Sequence, residues 1–281
     1  KRLIFFFTFV RHNRKYFAIL GKNPSQGARS PKLWNRVLKK LKRKERMIPI
    51  DIKKNELLNT LKKLNADKNF LGGCIAVPYK ESICKILKKN IPKNILKHQS
   101  INCVFRNKSG SLTGCNTDGL GAIFSLKKNT NLKKKKILVM GLGGTGKAIS
   151  ASLKDFGCKN VFLTNRSLKK KNFSNIVKFK FLKWEIATSD LNNFDVIINA
   201  TSAGFLNKSK TPISEKKLKF VKNKFFFDII YQPRITRLLK ITKKNNKVLN
   251  GELMNLMQAV FAFSIVTKVR DKRKIFKLMS K

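Results

Sequence analysis

Short apolar runs alternate with helix-like patterns through the first half of the chain. Residues 16–20, 47–52 and 74–77 are apolar runs of strand length, and the first ends at Gly21. Between them, apolar residues recur at helical spacing: Leu33, Trp34, Val37, Leu38 and Leu41, then Leu57, Leu58, Leu61 and Leu64. Strands that alternate with helices are typical of parallel sheets with crossover helices, so we predict an α/β domain.

Two helix starts are indicated by their local sequence. Pro31 lies where the first turn of a helix tolerates proline, and Ser30 before it is the predicted N-cap. The helix after the third strand is predicted to start near Pro78.

A lysine-rich connector at 127–133 precedes a second β-α pattern. Its predicted strands are 137–140, 161–164, 179–182, 196–199 and 225–229. This half therefore predicts a doubly wound, Rossmann-like sheet. The closing stretch, 251–281, is helical in pattern, with Leu253, Leu256, Met257, Val260 and Phe261 on one face.

A glycine-rich turn follows the first strand of the second half. Gly141, Gly143 and Gly146 form a G-x-G-x-x-G motif after the apolar run 137–140 and before a helix-like stretch at 147–153. In that context the glycines let the backbone approach a pyrophosphate, whose charge faces the helix N-terminus. The turn predicts a dinucleotide site that also includes Gly144.

The net charge is far from ordinary. The 281 residues include 64 Lys and Arg against 14 Asp and Glu, a formal net charge of +50. Such a field attracts polyanions non-specifically. The basic residues are nevertheless scattered along the chain among many Asn, Ile and Phe, which is typical of A/T-rich codon usage. We therefore expect no specific nucleic-acid partner.

The numbers and spacing of cysteines and histidines limit which catalytic and metal sites the chain can form. Five cysteines without a C-x-x-C pair indicate reduced thiols and a cytoplasmic location. Two histidines without metal-ligand spacing make a Ser-His-Asp triad or a zinc site improbable, so no metal is expected. Residues 1–15 are an uncertain N-terminal extension whose apolar run is too short to span a bilayer, and no membrane partner is expected.

Lys80 and Asp118 are the candidate catalytic pair. Both lie on separate turns upstream of the dinucleotide motif. Reduction of a ketone leaves an oxyanion, which a lysine ammonium can protonate or stabilise, and a nearby carboxylate would orient that ammonium. The pair therefore predicts hydride transfer at a carbon that bears a hydroxyl or carbonyl group.

From about Tyr16 to the C-terminus the chain resembles the shikimate dehydrogenase family. The matching motifs occur in order around the glycine turn: Gly21…Pro24…Ser30-Pro31…Asn35, Pro78-Tyr79-Lys80, Ile101-Asn102-Cys103-Val104, Asn116-Thr117-Asp118-Gly119, Asn165-Arg166-Ser167, Asn199-Ala200-Thr201-Ser202-Ala203-Gly204, Asp228…Tyr231…Pro233…Thr236 and Asn250-Gly251…Met254…Gln258-Ala259. The resemblance implies NADP-linked interconversion of 3-dehydroshikimate and shikimate, in the biosynthesis of aromatic amino acids.

The resemblance also implies the domain layout. A substrate-binding domain would span 16–126, with helices at 252–281 packing back on it, and an NADP-binding Rossmann-like domain would span 133–251. The active site would lie in the cleft between them. The partner would be a small molecule, and the protein a monomer or homodimer.

Further site residues follow from the matched motifs. The expected substrate-binding residues are Ser30, Asn102, Tyr231 and Gln258. The expected cofactor-binding residues are Gly141, Gly143, Gly144, Gly146, Asn165, Arg166, Ser167, Thr201, Ser202 and Gly251. The strand before Asn165 ends where NAD-specific enzymes place an acidic residue, whereas Arg166 would pair with a 2′-phosphate, so we predict NADP over NAD.

The substrate-binding region departs from the family pattern, both in the loop after Gly21 and near Lys80. Two serines that commonly bind the substrate carboxylate correspond to Ala28 and Ser30, with Arg29 between them. Ala76 stands where a threonine is usual, and Cys74 replaces a polar residue. A polar pocket that loses hydrogen-bonding groups binds its substrate less well. Pairing of Arg29 with the carboxylate could compensate.

Three alternatives remain open at this stage. A paralogue could act on quinate or another cyclic hydroxy acid. A glutamyl-tRNA reductase is disfavoured, because the Pro-Tyr-Lys and Asn-Thr-Asp turns have no place in that family. The non-enzymatic alternative is a basic nucleic-acid-binding protein on a retained dehydrogenase scaffold, with steeply salt-dependent binding and little turnover.

Overall fold

The computed structural model describes residues 14–205 and 207–280. In this part of the chain, eleven strands form two separate sheets, and twelve α-helices cover them. Each sheet with its helices makes an α/β domain, which confirms the predicted fold. The expected extension at 1–15 lies almost wholly outside the described residues.

The first domain contains a five-stranded mixed sheet of order β2-β1-β3-β4-β5. Its strands are β1 (Tyr16–Gly21), β2 (Arg46–Asp51), β3 (Phe70–Ile75), β4 (Cys103–Arg106) and β5 (Leu112–Cys115). Strands β1, β2 and β3 are mutually parallel, as predicted, whereas β4 is antiparallel to both neighbours. Because β5 runs in the direction of β3, residues after both strands emerge at one edge of the sheet.

The second domain contains a six-stranded sheet that is entirely parallel, in the order β11-β10-β9-β6-β7-β8. Its strands are β6 (Ile137–Met140), β7 (Val161–Thr164), β8 (Lys180–Leu182), β9 (Val196–Asn199), β10 (Phe225–Asp228) and β11 (Lys247–Leu249). Helices lie on both of its faces, since buried apolar clusters occupy each side. This is the doubly wound arrangement predicted from the sequence.

The helices connect these strands and end the chain. They are α1 (Arg29–Lys40), α2 (Leu57–Ala66), α3 (Lys80–Ile86), α4 (Lys93–Leu96), α5 (Asp118–Lys127), α6 (Gly144–Asp155), α7 (Asn172–Val177), α8 (Trp184–Ser189), α9 (Glu215–Lys219), α10 (Arg237–Thr242), α11 (Glu252–Thr267) and α12 (Lys272–Ser280). In the described part of the chain, no helix combines the length and apolar character needed to cross a bilayer.

Helix α11 packs on the first domain rather than on the sheet that precedes it. The ring of Phe263 meets that of Trp34 edge to face with centroids 5.0 Å apart, and Trp34 in turn meets Phe17 at 5.5 Å. All three rings are fully buried. Helix α11 therefore completes the core of the domain to which α1 and β1 belong.

One local prediction was wrong, and one hairpin was missed. Helix α1 begins at Arg29, with Ala28 at the N-cap position and no side-chain cap, so Ser30 lies inside the first turn. Pro31 still fits there, because the first four N–H groups of a helix have no intrahelical acceptor. The hairpin of β4 and β5 was not foreseen, although Gly110, with φ +79°, forms its turn.

Candidate active site

A cleft of about 610 Å³ lies between the two domains. It is lined from the first domain by residues that follow β1, β3 and β5, and from the second by residues that follow β6, β7, β9 and β10. In open parallel sheets, ligands bind at the carboxyl ends of the strands. The topology therefore places most of the predicted site residues around one cavity.

The glycine turn brings backbone close to backbone at the start of α6. Gly141 has φ +95°, and a Cβ there would lie 2.9 Å from the Ala200 carbonyl. A Cβ on Gly146 would lie 1.9 Å from the Gly141 oxygen, whereas one on Gly143 would meet nothing within 4 Å. The turn is thus tight on its inner side and open at Gly143 beside the cleft. This is the shape that a dinucleotide pyrophosphate requires.

The segment after β7 lies next to the glycine turn. The Leu142 N–H donates to Asn165 Oδ1 at 3.0 Å, and Asn165 Nδ2 donates to the Ser167 carbonyl at 3.0 Å. Arg166 is exposed at the rim of the cleft. Residues 164–171 contain no Asp or Glu, so nothing in this segment repels a phosphate.

Lys80 and Asp118 form an ion pair inside the cleft. They are the first residues of α3 and α5, and Lys80 Nζ donates to Asp118 Oδ2 at 2.5 Å. Their side chains are 15% and 6% exposed, so the pair is shielded from bulk water but reachable from the cavity. Thr145, on the glycine turn, donates to the same Asp118 oxygen at 3.1 Å. The pair is therefore in contact with the predicted dinucleotide site.

Asn102 and Gln258 lie against the other oxygen of Asp118. Asn102 Nδ2 is 2.8 Å from Asp118 Oδ1 and 3.1 Å from Gln258 Oε1. Asn102 Oδ1 accepts from the Thr117 N–H at 2.8 Å, which fixes the orientation of the amide. These bonds join three elements that are distant in sequence: the start of β4, the start of α5 and helix α11.

Helix α5 is held between two other helices by glycines. A Cβ on Gly119 would lie 2.1 Å from Ser152 Oγ of α6. A Cβ on Gly121 would lie 2.6 Å from the Met254 carbonyl of α11. Because side chains are excluded on both flanks, the α5 backbone is close to both helices, and the position of Asp118 is set by both domains.

A second polar cluster, absent from the sequence predictions, joins the domains beside Lys80. Glu81 Oε2 accepts from Lys147 Nζ at 2.8 Å and from Lys170 Nζ at 3.0 Å. Burial opposes ionisation of Glu81, but these two lysines outweigh it and lower the pKa of the carboxyl. Burial also lowers the pKa of Lys147, against the effect of Glu81. Spacing along the chain gave no signal for this contact.

Tyr231 enters the cleft from a loop after β10 that a buried carboxyl organises. Asp228 is fully buried and accepts from Thr236 Oγ1 at 2.7 Å, from the Ile230 N–H at 3.1 Å and from Asn199 Nδ2 at 3.1 Å. Burial raises the pKa of Asp228 to about 6, although these hydrogen bonds favour its ionised form.

The positions that depart from the family pattern share the wall of the first domain. Ala28, Cys74 and Ala76 line the cleft beside Ser30 and Arg29. Burial raises the pKa of the Cys74 thiol to about 12, so Cys74 contributes no charge there. Arg29 Nη1 donates to Asn255 Oδ1 at 3.2 Å, and its guanidinium lies 5.3 Å from the centre of the Tyr231 ring.

The cleft gathers all but three of the predicted site residues. Lining it are Ser30, Lys80, Asn102, Asp118, Gly141, Gly143, Gly144, Asn165, Arg166, Thr201, Ser202, Tyr231 and Gln258. Gly146, Ser167 and Gly251 do not line it. Gly146 packs inward on Gly141, and a Cβ on Gly251 would lie 1.9 Å from the Ile229 carbonyl, so these two glycines allow close backbone packing beside the site. Among the described residues, no group of three His, Cys, Asp or Glu side chains is arranged to hold a metal ion.

Comparison with known proteins identifies the family. The family model described as shikimate/quinate 5-dehydrogenase matches residues 124–250, and that of the shikimate dehydrogenase substrate-binding domain matches residues 19–104. The chain is 34% identical to an NADP(+) shikimate dehydrogenase of Pelagibacter ubique, over 91% of this chain and 94% of that protein.

Solved structures agree with this match. The shikimate 5-dehydrogenase of Thermus thermophilus, in complex with NADP(H) and shikimate, superposes with a TM-score of 0.79 at 25% identity, covering 95% of this chain and 98% of that one. The shikimate dehydrogenase of Aquifex aeolicus gives a TM-score of 0.83 at 25% identity, over 96% of this chain and 98% of that one. With both domains matched and the ordered motifs lining one cleft, this chain belongs to the shikimate dehydrogenase family.

Proposed function

We propose that the chain is an NADP-dependent oxidoreductase that interconverts 3-dehydroshikimate and shikimate. The observation that carries the proposal is the Lys80–Asp118 ion pair, 2.5 Å long and in contact with Thr145 of the glycine turn. A proton-handling pair beside a dinucleotide turn is what hydride transfer to a ketone requires. Membership of the shikimate dehydrogenase family supports the assignment of 3-dehydroshikimate and shikimate as substrates.

The residues at the carboxyl ends of β6 and β7 fit NADP. The open face at Gly143 and the start of α6 suit the pyrophosphate, and Arg166, flanked by Asn165 and Ser167, suits the 2′-phosphate. Thr201 and Ser202 would face the nicotinamide. When bound, NADP(H) accepts or supplies the hydride; the protein's part is to hold the reacting carbon near it.

Lys80 handles the proton of the reacting hydroxyl. In the direction of ketone reduction, its ammonium gives a proton to the developing oxyanion; in the direction of oxidation, its amine accepts that proton. Asp118 and Thr145 occupy two of the three directions in which Nζ can donate, at 2.5 and 3.4 Å, and the third is left for substrate. Asp118 orients the ammonium and balances its charge.

The neighbouring polar groups orient the ring. Asn102 and Gln258, in contact at 3.1 Å, would bind hydroxyl groups next to the reacting carbon. Ser30 and Tyr231 lie on other parts of the cleft wall and would bind the remaining polar groups of the substrate. Two amides that can each donate and accept suit adjacent hydroxyls.

The test is an assay of NADPH formation with purified protein. Shikimate, quinate and no substrate are each combined with NADP and with NAD, and turnover of shikimate with NADP is the expected result. Faster turnover of quinate would assign the chain to a paralogous activity. NADP binding without oxidation of either acid would contradict the proposal.

Variants test the role of the ion pair. Lys80→Ala should abolish turnover while NADP binding is retained, because the glycine turn is untouched. Lys85→Ala, which removes an exposed lysine from the same helix, is the matched control and should keep full activity. Near-normal turnover by Lys80→Ala would exclude Lys80 as the proton donor.

The thiols support a cytoplasmic location for this activity. All five cysteines are free, and four of them are buried. Free thiols are typical of reducing compartments.

A further inference from the structure

The charged groups on the cleft wall do not all have partners of opposite charge. Five charged residues line it: Arg29, Lys80, Glu81, Asp118 and Arg166. Lys80 pairs with Asp118, and Glu81 pairs with Lys147 and Lys170. Within residues 14–205 and 207–280, no carboxylate oxygen lies within 4.0 Å of the Arg29 or Arg166 guanidinium. The cleft thus presents two uncompensated guanidiniums, one from each domain.

The two guanidiniums match two different anions. Arg166 follows β7 in the second domain, beside the glycine turn, where a cofactor phosphate would bind. Arg29 belongs to the first domain, whose wall also carries Lys80, Asn102 and Asp118. An anion at Arg29 would therefore be part of the substrate rather than of the cofactor.

Contacts on two sides keep Arg29 at the cleft without neutralising it. Its guanidinium packs 5.3 Å from the centre of the Tyr231 ring, and Nη1 donates to Asn255 Oδ1 at 3.2 Å. A guanidinium has five N–H donors, so most remain for a ligand. Arg29 is also the first residue of α1, a 12-residue helix whose positive dipole end favours an anion at the same place.

The surrounding wall offers an anion few other partners. Ala28, Cys74 and Ala76 bring no hydroxyl or amide to this part of the cleft, and Ser30 supplies a single hydroxyl. A planar carboxylate is matched by the fork of N–H groups on a guanidinium. We propose that Arg29 binds the carboxylate of the substrate and makes this cleft selective for cyclic hydroxy acids over uncharged polyols. This inference rests on the proposed function.

Binding measurements test the inference directly. Dissociation constants of shikimate, of its uncharged methyl ester and of NADP are measured by titration calorimetry for the native protein, Arg29→Gln and Arg29→Lys. Loss of a charged hydrogen-bond partner predicts shikimate binding about 10- to 100-fold weaker in Arg29→Gln, with a smaller loss in Arg29→Lys. NADP affinity should change by less than about two-fold, since Arg29 lies on the other domain.

The ester separates carboxylate binding from a structural role. The native protein should prefer the acid over the ester by at least about ten-fold, and Arg29→Gln should lose that preference. Arg36→Gln, on the same helix but away from the cleft wall, should retain it. Equal loss of acid and ester binding in Arg29→Gln, or the same loss in Asn255→Ala, would overturn the inference by showing that Arg29 only holds α11.

The two proposals fail in different ways. A native protein that oxidises neither shikimate nor quinate would contradict the proposed function. A native protein that oxidises shikimate, with an Arg29→Gln variant that binds the acid as tightly as before, would contradict this inference alone.

Discussion

Asp228 makes the stability of the fold depend on pH in a direction opposite to that of most carboxyls. It is fully buried at the end of β10, and burial raises its pKa from an ordinary 3.8 to about 6. Replacement by Asn keeps the size of the side chain but removes the titration. The comparison between native protein and Asp228→Asn therefore isolates this one group.

The size of the expected change in stability follows from the shift in the pKa of Asp228. Two pKa units correspond to about 3 kcal/mol. Between about pH 4 and 6, the folded state keeps a proton on Asp228 that the unfolded state has released, so this group's contribution to stability falls as pH rises through that window. Above the pKa of Asp228 in the folded state, the group is ionised in both states, and its unfavourable contribution to stability stays constant.

Urea unfolding at several pH values between 4 and 7 measures the effect. The free energy of unfolding of the native protein, minus that of Asp228→Asn, should decrease by about 3 kcal/mol across this range. Thr236→Val removes the 2.7 Å hydrogen bond to Oδ2, which favours the ionised form, so the upper end of the window should move to higher pH. A difference that stays flat or increases with pH would refute the reasoning.

Two further predictions concern contacts near the cleft. Gly146→Ala would place a Cβ 1.9 Å from the Gly141 oxygen, so calorimetry should find NADP binding weakened by at least about ten-fold and urea unfolding should find a less stable fold. Gly143→Ala, whose Cβ meets nothing within 4 Å, should keep native stability; equal stability of both variants would contradict the packing argument. Glu81→Gln leaves the buried Lys147 without a carboxylate and should lower the free energy of unfolding by about 2 kcal/mol. Glu185→Gln, at an exposed glutamate, is the matched control. If the urea concentration at the midpoint of unfolding were unchanged in Glu81→Gln, the cluster would not stabilise the contact between the domains.

The central strands of the second domain were predictable because of how they are buried. Strands β6, β7 and β9 match the predicted bounds, since a parallel strand covered on both faces is a continuous apolar run. Strand β11, only three residues long at the sheet edge and beginning at Lys247, was missed because it carries no such run. The β4–β5 hairpin was missed although Asn107 to Ser111 has the composition of a turn.

Site residues that belong to motifs at the ends of strands could be predicted from the sequence. Contacts that depend on how the two domains are oriented could not. The sequence predicted that Lys80 and Asp118 lie close together, and they meet because β3 and β5 run in one direction. The contact of Glu81 with Lys147 and Lys170 depends on how the two sheets face each other, which no local pattern records.

Helix α5 links the environment of the Asp118 carboxylate to the packing of the two domains. Gly119 and Gly121 allow α6 and α11 to pack directly against the backbone of α5, and α5 begins with Asp118. A substitution that separated the domains would draw Thr145 of the second domain away from Asp118, whereas both members of the Lys80–Asp118 pair belong to the first domain. The other end of the helix is exposed at Lys127 and Lys128, so the requirement for close packing falls on the glycines of its first turn, Gly119 and Gly121.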